Sequence, residues 1–356
     1  MQGPVARRTL ATLVIAGVLA ACGSPPPTST RSPAAGSFDA RPETPAAASV
    51  AASADATPIP TPIPTLSASA LSERIEPDTL RAHLEALQAI SDEPDSGGTR
   101  ATGTPGFERS VEYVDGVLAS AGYEVARQPF TVGPATSWNV LAEREGTGDG
   151  VIVLGAHLDS VAAGPGLNDN ASGVSALLAI AAALADLPAP SLTVRFAFWG
   201  AEEGGPFGSA AYVASLAAAE VASIRAYLNF DMLGSPNGVT FVYDEPGAAP
   251  GSDAVGHVVS GYFARRGLPW EPIDLTGHAD HGSFTAAGIA TGGLFSGGRE
   301  PVTDAQAARH GAIAGQPADP CSHAACDTID NVDLARLALM TDAIAAIVVA
   351  MAVEIS

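Results

Sequence analysis

The chain has 356 residues, of which 47% are hydrophobic and 15% are charged, so it can form one large folded domain or two small ones. Its formal net charge of −21 argues against nucleic acids and anionic membrane surfaces as partners. All 17 basic residues are arginine. The absence of lysine excludes chemistry that needs a phosphate-loop lysine, a Schiff base or a Ser-Lys pair.

The N-terminal segment is typical of an exported protein. Residues 1–21 begin with a basic stretch and continue into an apolar run that is too short to span a membrane, which predicts a signal peptide. Residues 19–22 read Leu-Ala-Ala-Cys and resemble a bacterial lipobox, so we predict a lipoprotein signal and lipidation of Cys22. An ordinary signal peptide with a chance cysteine is the alternative. Lipidation would anchor the chain to the extracytoplasmic side of the cell membrane.

The composition of the chain changes near residue 70. Residues 22–70 are rich in Pro, Ala, Ser and Thr and have few large apolar side chains, which predicts a disordered tether. Residues 71–356 alternate strand-like and helix-like segments, which predicts one α/β domain with a mainly parallel twisted sheet and helices on both faces. The expected strands are 125–132, 138–143, 151–157, 192–198, 224–230, 239–243 and 289–295, and a long helix is expected over 332–353.

Two polar blocks lie next to the strand expected over 151–157. His157 and Asp159 come at the end of this apolar run, and open α/β sheets bind their ligands at that edge. Asp169 lies in an Asn-Asp-Asn block that precedes an Ala- and Leu-rich helical run. This arrangement brings an imidazole and carboxylates to the rim of the sheet, as a metal site requires.

Further carboxylates and a histidine follow later strands. Glu202 and Glu203 come directly after one strand, and Asp231 ends another, although such residues also occur in solvated turns and caps. His323 lies between Cys321 and Cys326, which in an exported protein predict a disulfide rather than a zinc site. Mixed nitrogen and oxygen ligands suit zinc, and two zinc ions about 3.5–4 Å apart form a hydrolytic centre.

Other enzyme classes have little support in the sequence. No Gly-x-Ser-x-Gly segment occurs, which argues against a serine hydrolase of the α/β type, and no Gly-x-Gly-x-x-Gly follows an early strand. The segment 277–281 adds His278, Asp280 and His281 as further ligands or as groups that orient ligands.

The motifs occur in the order His-x-Asp, Asp-Asn, Glu-Glu, Asn-Phe-Asp-Met and Cys-x-His-x-x-Cys-Asp. Over about residues 80–350 the chain resembles the M28 family of zinc aminopeptidases and is similar to its secreted streptomycete members. The resemblance implies a zinc-exopeptidase, phosphorylase/hydrolase-like three-layer sandwich. It also implies two zinc ions, with His157 and Asp231 on one, Glu203 and His323 on the other, and Asp169 bridging them.

The resemblance also implies roles for neighbouring residues. Glu202 would be the general base, and Asp159 and Asp280 would orient ligands. The substrate would be a peptide with a free amino terminus and an apolar first residue, with Met232 and Phe295 in its pocket. We expect a monomer, and the sequence alone supports no calcium site.

Two positions depart from the family pattern. Ser322 stands where the family usually has a tyrosine that stabilises the tetrahedral intermediate, and His278 stands where close relatives often have arginine. These changes bear on rate and substrate choice rather than on metal binding. The alternatives are a related metal amidohydrolase or carboxypeptidase, or a metal-bound surface protein with weak catalysis.

Overall fold

The computed structural model describes residues 66–275 and 279–354, and an eight-stranded sheet lies at its centre. The strands are β1 (Val125–Val132), β2 (Ala135–Arg144), β3 (Val151–His157), β4 (Thr193–Trp199), β5 (Ile224–Asp231), β6 (Phe241–Tyr243), β7 (Glu271–Ile273) and β8 (Thr291–Phe295). The helices are α1 (Ala68–Ser72), α2 (Pro77–Asp92), α3 (Pro105–Ser120), α4 (Ser172–Ala185), α5 (Phe207–Ser215), α6 (Ala218–Ser223), α7 (Ser252–Arg266), α8 (His281–Ala286), α9 (Asp304–His310) and α10 (Leu334–Glu354). A π-helical turn, Leu167–Ala171, precedes α4, and a 3-10 turn, Ile329–Asn331, precedes α10.

The sheet is mixed, with the order β1-β2-β4-β3-β5-β8-β6-β7. The four inner strands β4, β3, β5 and β8 are parallel to one another. Antiparallel pairing occurs toward the edges, where β2 pairs with β4 and with β1, and β6 pairs with β8. The predicted mainly parallel α/β fold is therefore confirmed for the part of the sheet that carries the candidate site.

Both faces of the sheet are buried, because alternate residues of the inner strands enter different hydrophobic clusters. On β4, Phe196 and Phe198 join the larger cluster, whereas Ala197 and Trp199 join the smaller one on the other face. The larger cluster is covered by α2, α3, α4 and α10. The smaller cluster is covered by α5 and α8. Side chains with a period of two thus fill two layers, as a sheet between helices requires.

Within the described residues, two segments are long and apolar enough to cross a membrane by length and composition alone, namely 167–185 and 334–352. The first is 94% buried inside the folded chain and the second 56%. The second belongs to α10, which packs against α1, α2, α4 and α7. Both segments therefore have the packing of core helices.

The folded part begins earlier than the predicted boundary at residue 71. Leu66 is buried in the main core, and the Ser67 hydroxyl accepts a hydrogen bond from the N–H of Ala70 at the start of α1. The tether prediction is therefore wrong for 66–70, because even this short stretch has apolar side chains that pack against α10. The signal peptide and Cys22 lie outside the described residues and stay predictions.

Candidate metal centre

The ends of neighbouring parallel strands place the candidate ligands. β3 ends at His157 and β5 ends at Asp231, while Glu202 follows β4 by three residues. Gly155 allows this packing, because a Cβ at that position would lie 2.2 Å from the Tyr227 hydroxyl oxygen. These side chains therefore converge at the carboxyl edge of the sheet, where open α/β sheets bind ligands.

Asp169 lies between two imidazoles. Its Oδ1 is 3.1 Å from His157 Nε2, and its Oδ2 is 3.1 Å from His323 Nε2. Each imidazole has a second carboxylate beside it: Asp231 Oδ1 is 3.4 Å from His157 Nε2, and Glu203 Oε2 is 3.2 Å from His323 Nε2. The five residues predicted as metal ligands thus form two His-carboxylate pairs that share Asp169.

Hydrogen bonds join the segment around Asp169 to β5. The side chain of Asn170 donates to the carbonyl of Phe230 over 2.9 Å and accepts from the N–H of Gly173. It also accepts from the N–H of Met232 over 3.3 Å. Asn170 therefore fixes the spacing between Asp169 and Asp231.

Asp159 organises the neighbouring side chains. The Nδ1 of His157 lies 3.1 Å from the carbonyl oxygen of Asp159, so Nδ1–H can donate a hydrogen bond to it. In this tautomer the lone pair of Nε2 is available to a metal ion. The carboxylate of Asp159 accepts from the N–H of Glu202 over 3.0 Å. Asp159 thereby orients the imidazole through its backbone carbonyl and the first residue of the Glu-Glu pair through its carboxylate.

The site is rich in buried carboxyl groups, and their proximity shifts the pKa values of its residues. Burial and then nearby carboxylates raise the pKa of Glu202 to about 9 and that of Glu203 to about 10. Burial alone would lower the pKa of His157, but Asp231, Asp159 and Asp169 outweigh it and raise that pKa well above its ordinary value. So much buried negative charge is costly without cations.

A divalent metal fits this donor set. Donor atoms of His157, Asp169 and Glu203 all lie within 4.8 Å of one another. The Oε1 of Glu203 is buried and has no hydrogen-bond partner. Buried imidazole and carboxylate donors are the ligands that zinc takes in proteins.

A cavity of about 820 Å³ opens onto the acidic site. Asp169, Glu202, Glu203, Asp231, Ser322 and His323 line one part of it. Met232 and Phe295 also line it, and the ring of Phe295 stacks on that of Phe241 with centroids 6.0 Å apart. The cavity therefore joins acidic donors to an apolar wall, as expected of a site for a small organic ligand.

Of the segment 277–281 the structure describes residues 279–281, and these differ in their relation to this site. Asp280 is buried, and burial and the carboxylates of Asp231 and Asp159 raise its pKa to about 7, against the opposing effect of His157. His281 faces elsewhere, with its Nε2 2.5 Å from Glu245 Oε1. His278 lies outside the described residues.

The cysteine loop is closed as predicted. Cys321 and Cys326 form a disulfide, and His323 lies between them with a positive φ of 54°. The side chain of His323 is 49% exposed, in contrast to the buried His157. The loop thus presents one imidazole to the acidic site from the solvent side.

Comparison with known families identifies the family of this chain. The model of peptidase family M28 matches residues 139–348, more than half of the chain. The chain belongs to peptidase family M28. The resemblance to the M28 family that the sequence motifs indicate is therefore confirmed.

Several curated relatives of this M28 chain carry names of peptidases. It is 43% identical to leupeptin-inactivating enzyme 1 of Streptomyces exfoliatus over 271 residues, which cover 75% of this chain and 60% of that protein. It is 45% identical to an aminopeptidase of Pseudomonas aeruginosa over 216 residues, 59% of this chain and 40% of that one. It is 40% identical to the probable lipoprotein aminopeptidase LpqL of Mycobacterium tuberculosis over 258 residues, 67% of this chain and 52% of that one. The chain thus spans between 40% and 60% of the length of these relatives.

Solved structures share the fold of the M28 chain. An aminopeptidase from Aneurinibacillus sp. strain AM-1 matches with a TM-score of 0.64 and 19% identity, covering 80% of this chain and 96% of that one. A zinc aminopeptidase from Bacillus subtilis matches with a TM-score of 0.67 and 16% identity, covering 79% and 96%. A glutaminyl cyclase of Bacteroides thetaiotaomicron matches with a TM-score of 0.62 and 20% identity, covering 78% and 98%. The fold alone therefore does not decide the reaction.

Sequence reasoning missed several residues that support the M28 centre. Arg100 is fully buried, and its guanidinium donates to the carbonyls of Leu158, Pro165 and Gly166. Asp319 and Asp327 are also buried and accept hydrogen bonds around the site. Asp327 directly follows Cys326 in the Cys-x-His-x-x-Cys-Asp motif, so the sequence pattern could have identified it. The other two residues had no such signal, because their partners are mainly backbone groups and distant amides.

Proposed function

We propose that this chain is a dizinc aminopeptidase that removes an apolar first residue from peptides. The observation that carries the proposal is Asp169, whose two carboxylate oxygens face two different imidazoles at 3.1 Å each. One zinc ion would be held by His157 and Asp231 and the other by Glu203 and His323, with Asp169 shared. A shared carboxylate between two His-carboxylate pairs is the donor arrangement that a two-metal hydrolytic site needs.

The zinc ions and the protein side chains would have different roles in the reaction. When bound, zinc polarises the scissile carbonyl and lowers the pKa of a water molecule. Glu202 acts as general base: its carboxylate accepts the proton of the attacking water and returns it to the leaving amine. Two features support this role: Glu202 lines the cavity, and the contact of Asp159 with its N–H fixes its backbone. A buried carboxylate among other carboxylates is a stronger base than one in water.

The charge of the cavity favours an aminopeptidase over a carboxypeptidase. The described part of its lining contains six carboxylates, contributed by Asp169, Glu202, Glu203, Asp231, Asp274 and Glu300. Among the residues that the structure describes, the cationic groups that line it are Arg299 and, when protonated, His323. A substrate that enters with a free, positively charged amino group is attracted by this lining, whereas a substrate carboxylate is repelled.

The apolar wall supports the preference for an apolar first residue. Met232 and Phe295 lie beside the acidic donors, with Phe241, Ile273 and Leu275 further along the same lining. Burial of a leucine-sized side chain against such a wall contributes roughly 1.5–3 kcal/mol. A polar first residue would lose this contribution.

Ser322 is expected to limit the rate. Its side chain lines the cavity, and its N–H is held by Asp319 over 3.1 Å. A serine hydroxyl is shorter than a tyrosine hydroxyl, so it gives a weaker contact with the developing oxyanion. Losing one such donor typically costs on the order of 10²–10³ in turnover. Ser322→Tyr should therefore raise kcat if this position faces the oxyanion, and an unchanged kcat would place the oxyanion elsewhere.

We also propose that the protein is exported and held at the membrane through lipidated Cys22, and that it acts as a monomer. The composition of residues 1–22 supports this, and so does the name of the mycobacterial relative, a probable lipoprotein aminopeptidase. Cys22→Ser should move the protein from the membrane fraction to the soluble fraction. An unchanged membrane fraction would refute lipid anchoring at this residue.

The deciding experiment measures leucine release and zinc content on the same purified sample. Two zinc ions and release of leucine from Leu-Gly-Gly, with no cleavage of the N-acetylated peptide, would support the proposal. Cleavage of the C-terminal residue of the blocked peptide would instead support a carboxypeptidase. Tight peptide binding without turnover would support a binding protein.

A further inference from the structure

The disulfide does not by itself hold the His323 loop against the site. Cys321 and Cys326 are five residues apart, so their bond closes the loop on itself and ties it to no other segment. His323 nevertheless lies 3.1 Å from Asp169 and 3.2 Å from Glu203. Other contacts must therefore set the position of the loop.

Asp319 anchors the N-terminal side of the loop. Its Oδ1 accepts from the N–H of Cys321 over 2.8 Å and from that of Ser322 over 3.1 Å. Its Oδ2 accepts from the side-chain amide of Asn168 over 2.6 Å. Asp319 thus connects the beginning of the loop to the residue that directly precedes Asp169.

Asp327 anchors the C-terminal side of the loop in the same way. Its Oδ1 accepts from the N–H of Asn168 over 2.9 Å, and its Oδ2 accepts from the N–H of Asp169 over 3.0 Å. The side-chain amide of Asn331 donates to Asp319 and, over 3.2 Å, to Asp327. Both carboxylates therefore meet at the same two asparagines.

This network is buried and well satisfied. Asp319 and Asn168 are fully buried, and Asp327 is 1% exposed. The carbonyl side of the Asn168 amide accepts from the N–H of Gly234 over 2.9 Å. Fully satisfied polar networks in a low-dielectric interior are rigid, because every displaced group loses a bond that water does not replace.

The other half of the centre has separate support. His157 ends β3 and makes its Nδ1 contact with the carbonyl of Asp159 in its own segment. Asp231 ends β5 and is spaced from Asp169 by the contacts of Asn170. Neither side chain bonds to Asp319 or Asp327. A change in the network is therefore expected to move His323 more than His157.

We infer that Asp319 and Asp327 are positioning residues that set His323 relative to Asp169, so that the metal position of Glu203 and His323 depends on them. The position of His157 and Asp231 shares only Asp169 with this network. This inference rests on the proposed dizinc centre. It assigns the positioning of His323 to hydrogen-bonded carboxylates that flank the disulfide-closed loop.

Asp319→Asn in the full mature chain tests the inference through metal binding rather than activity. The amide has the size of the carboxylate, but its NH₂ group would face the donors of Asn168 and Asn331. Zinc titration against a chelating indicator should show one position of wild-type affinity and one weakened roughly 10–100-fold. Asp330→Asn is the matched control, because Asp330 is an exposed carboxylate of the neighbouring turn. It should keep both affinities.

The role of the disulfide is tested in parallel. Replacing both Cys321 and Cys326 with serine should weaken the same metal position by less than Asp319→Asn does. A larger effect of the serine pair would overturn the inference. If Asp319→Asn does not fold, Asn331→Ala replaces it, because it removes the donor shared by both carboxylates and should weaken the same position.

The outcomes separate this inference from the proposed function. A wild-type chain that binds fewer than two zinc ions would overturn the dizinc centre, and this inference with it. Two zinc ions bound with equal affinity by wild type and Asp319→Asn would overturn only the positioning role. Equal weakening of both positions, at an unchanged thermal midpoint of the metal-free protein, would also overturn it.

Discussion

Adjacent carboxylates with different surroundings give the sharpest test of the proposed mechanism. The Oε2 of Glu203 lies 3.2 Å from His323 Nε2, and its Oε1 is buried without a hydrogen-bond partner. The Oε2 of Glu202 is 4.0 Å from His157 Nε2, too far for a hydrogen bond. We therefore expect Glu202→Gln to keep both zinc ions and lose turnover, and Glu203→Gln to lose one zinc ion.

The size of the loss in Glu202→Gln follows from its proposed role. A positioned general base contributes roughly 10²–10⁴ to the rate, which is about 2.7–5.4 kcal/mol of transition-state stabilisation. The amide has nearly the same shape but cannot accept a proton at the working pH. The hydrogen bond from its backbone N–H to the carboxylate of Asp159 does not involve the substituted side chain and persists. The fold and KM should therefore change little.

The assay measures kcat on Leu-Gly-Gly and zinc content after gel filtration for wild type and both variants. Thermal unfolding of each metal-free protein serves as the folding control. Since burial raises the pKa of both glutamates, either glutamine should stabilise the metal-free protein at pH 8. Turnover within threefold of wild type in Glu202→Gln, or loss of zinc from it, would refute the assignment.

Three further predictions test other parts of the structure. Gly155→Ala should destabilise the protein by roughly 1–3 kcal/mol in urea unfolding, because its Cβ would lie 2.2 Å from Tyr227 Oη. Gly116→Ala is the control, because it has open space around it and should not destabilise the protein. Equal stabilities of the two variants would refute the packing argument. Phe295→Ser should lower kcat/KM for Leu-Gly-Gly more than for Ala-Gly-Gly, because it shortens the apolar wall; an equal loss would place the pocket elsewhere. The free energy of unfolding of the metal-free protein should fall as pH rises from about 5 to 9, since Glu202 and Glu203 have folded pKa values of about 9 and about 10, far above their unfolded values. Saturating zinc should reduce this slope, and a metal-free stability that rises with pH over that range would contradict the reasoning.

The sequence predicted the inner strands well because burial on both faces leaves a clear apolar signal. The strand expected over 151–157 matches β3 at both ends. Weaker patterns were missed: β7 is a three-residue strand that contains Pro272 and has no alternation to read. Helix α9 was also missed, although Thr303 and Gln306 form a capping box whose spacing is visible in the sequence.

The residues of the candidate site also differ in how well the sequence predicts them. Residues at the end of a strand, such as His157 and Asp231, could be placed at one edge of the sheet from local patterns alone. Residues that hold the site together could not, because their bonds cross long distances in the chain. Asp319 bonds to Asn168, which is 151 residues away. No local period or spacing encodes such a pair, so only the folded chain reveals it.

The buried charges of the metal-free site affect both its stability and its affinity for metal. The carboxylates of the site are buried, and the described buried cationic groups beside them include His157, whose raised pKa favours its protonated form in the metal-free protein, and the guanidinium of Arg100. Arg100 bonds to backbone carbonyls rather than to a carboxylate. Burial lowers the pKa of Arg100 to about 10, while Asp159, Asp327, Glu203 and Asp169 favour its charged form. One guanidinium and one protonated imidazole cannot offset these four carboxylates, to which Glu202 and Asp231 add two more. The metal-free site must therefore retain protons on groups such as Glu203, and it exchanges them for cations when zinc binds. Metal affinity should consequently rise with pH over the range in which the metal-free protein loses stability.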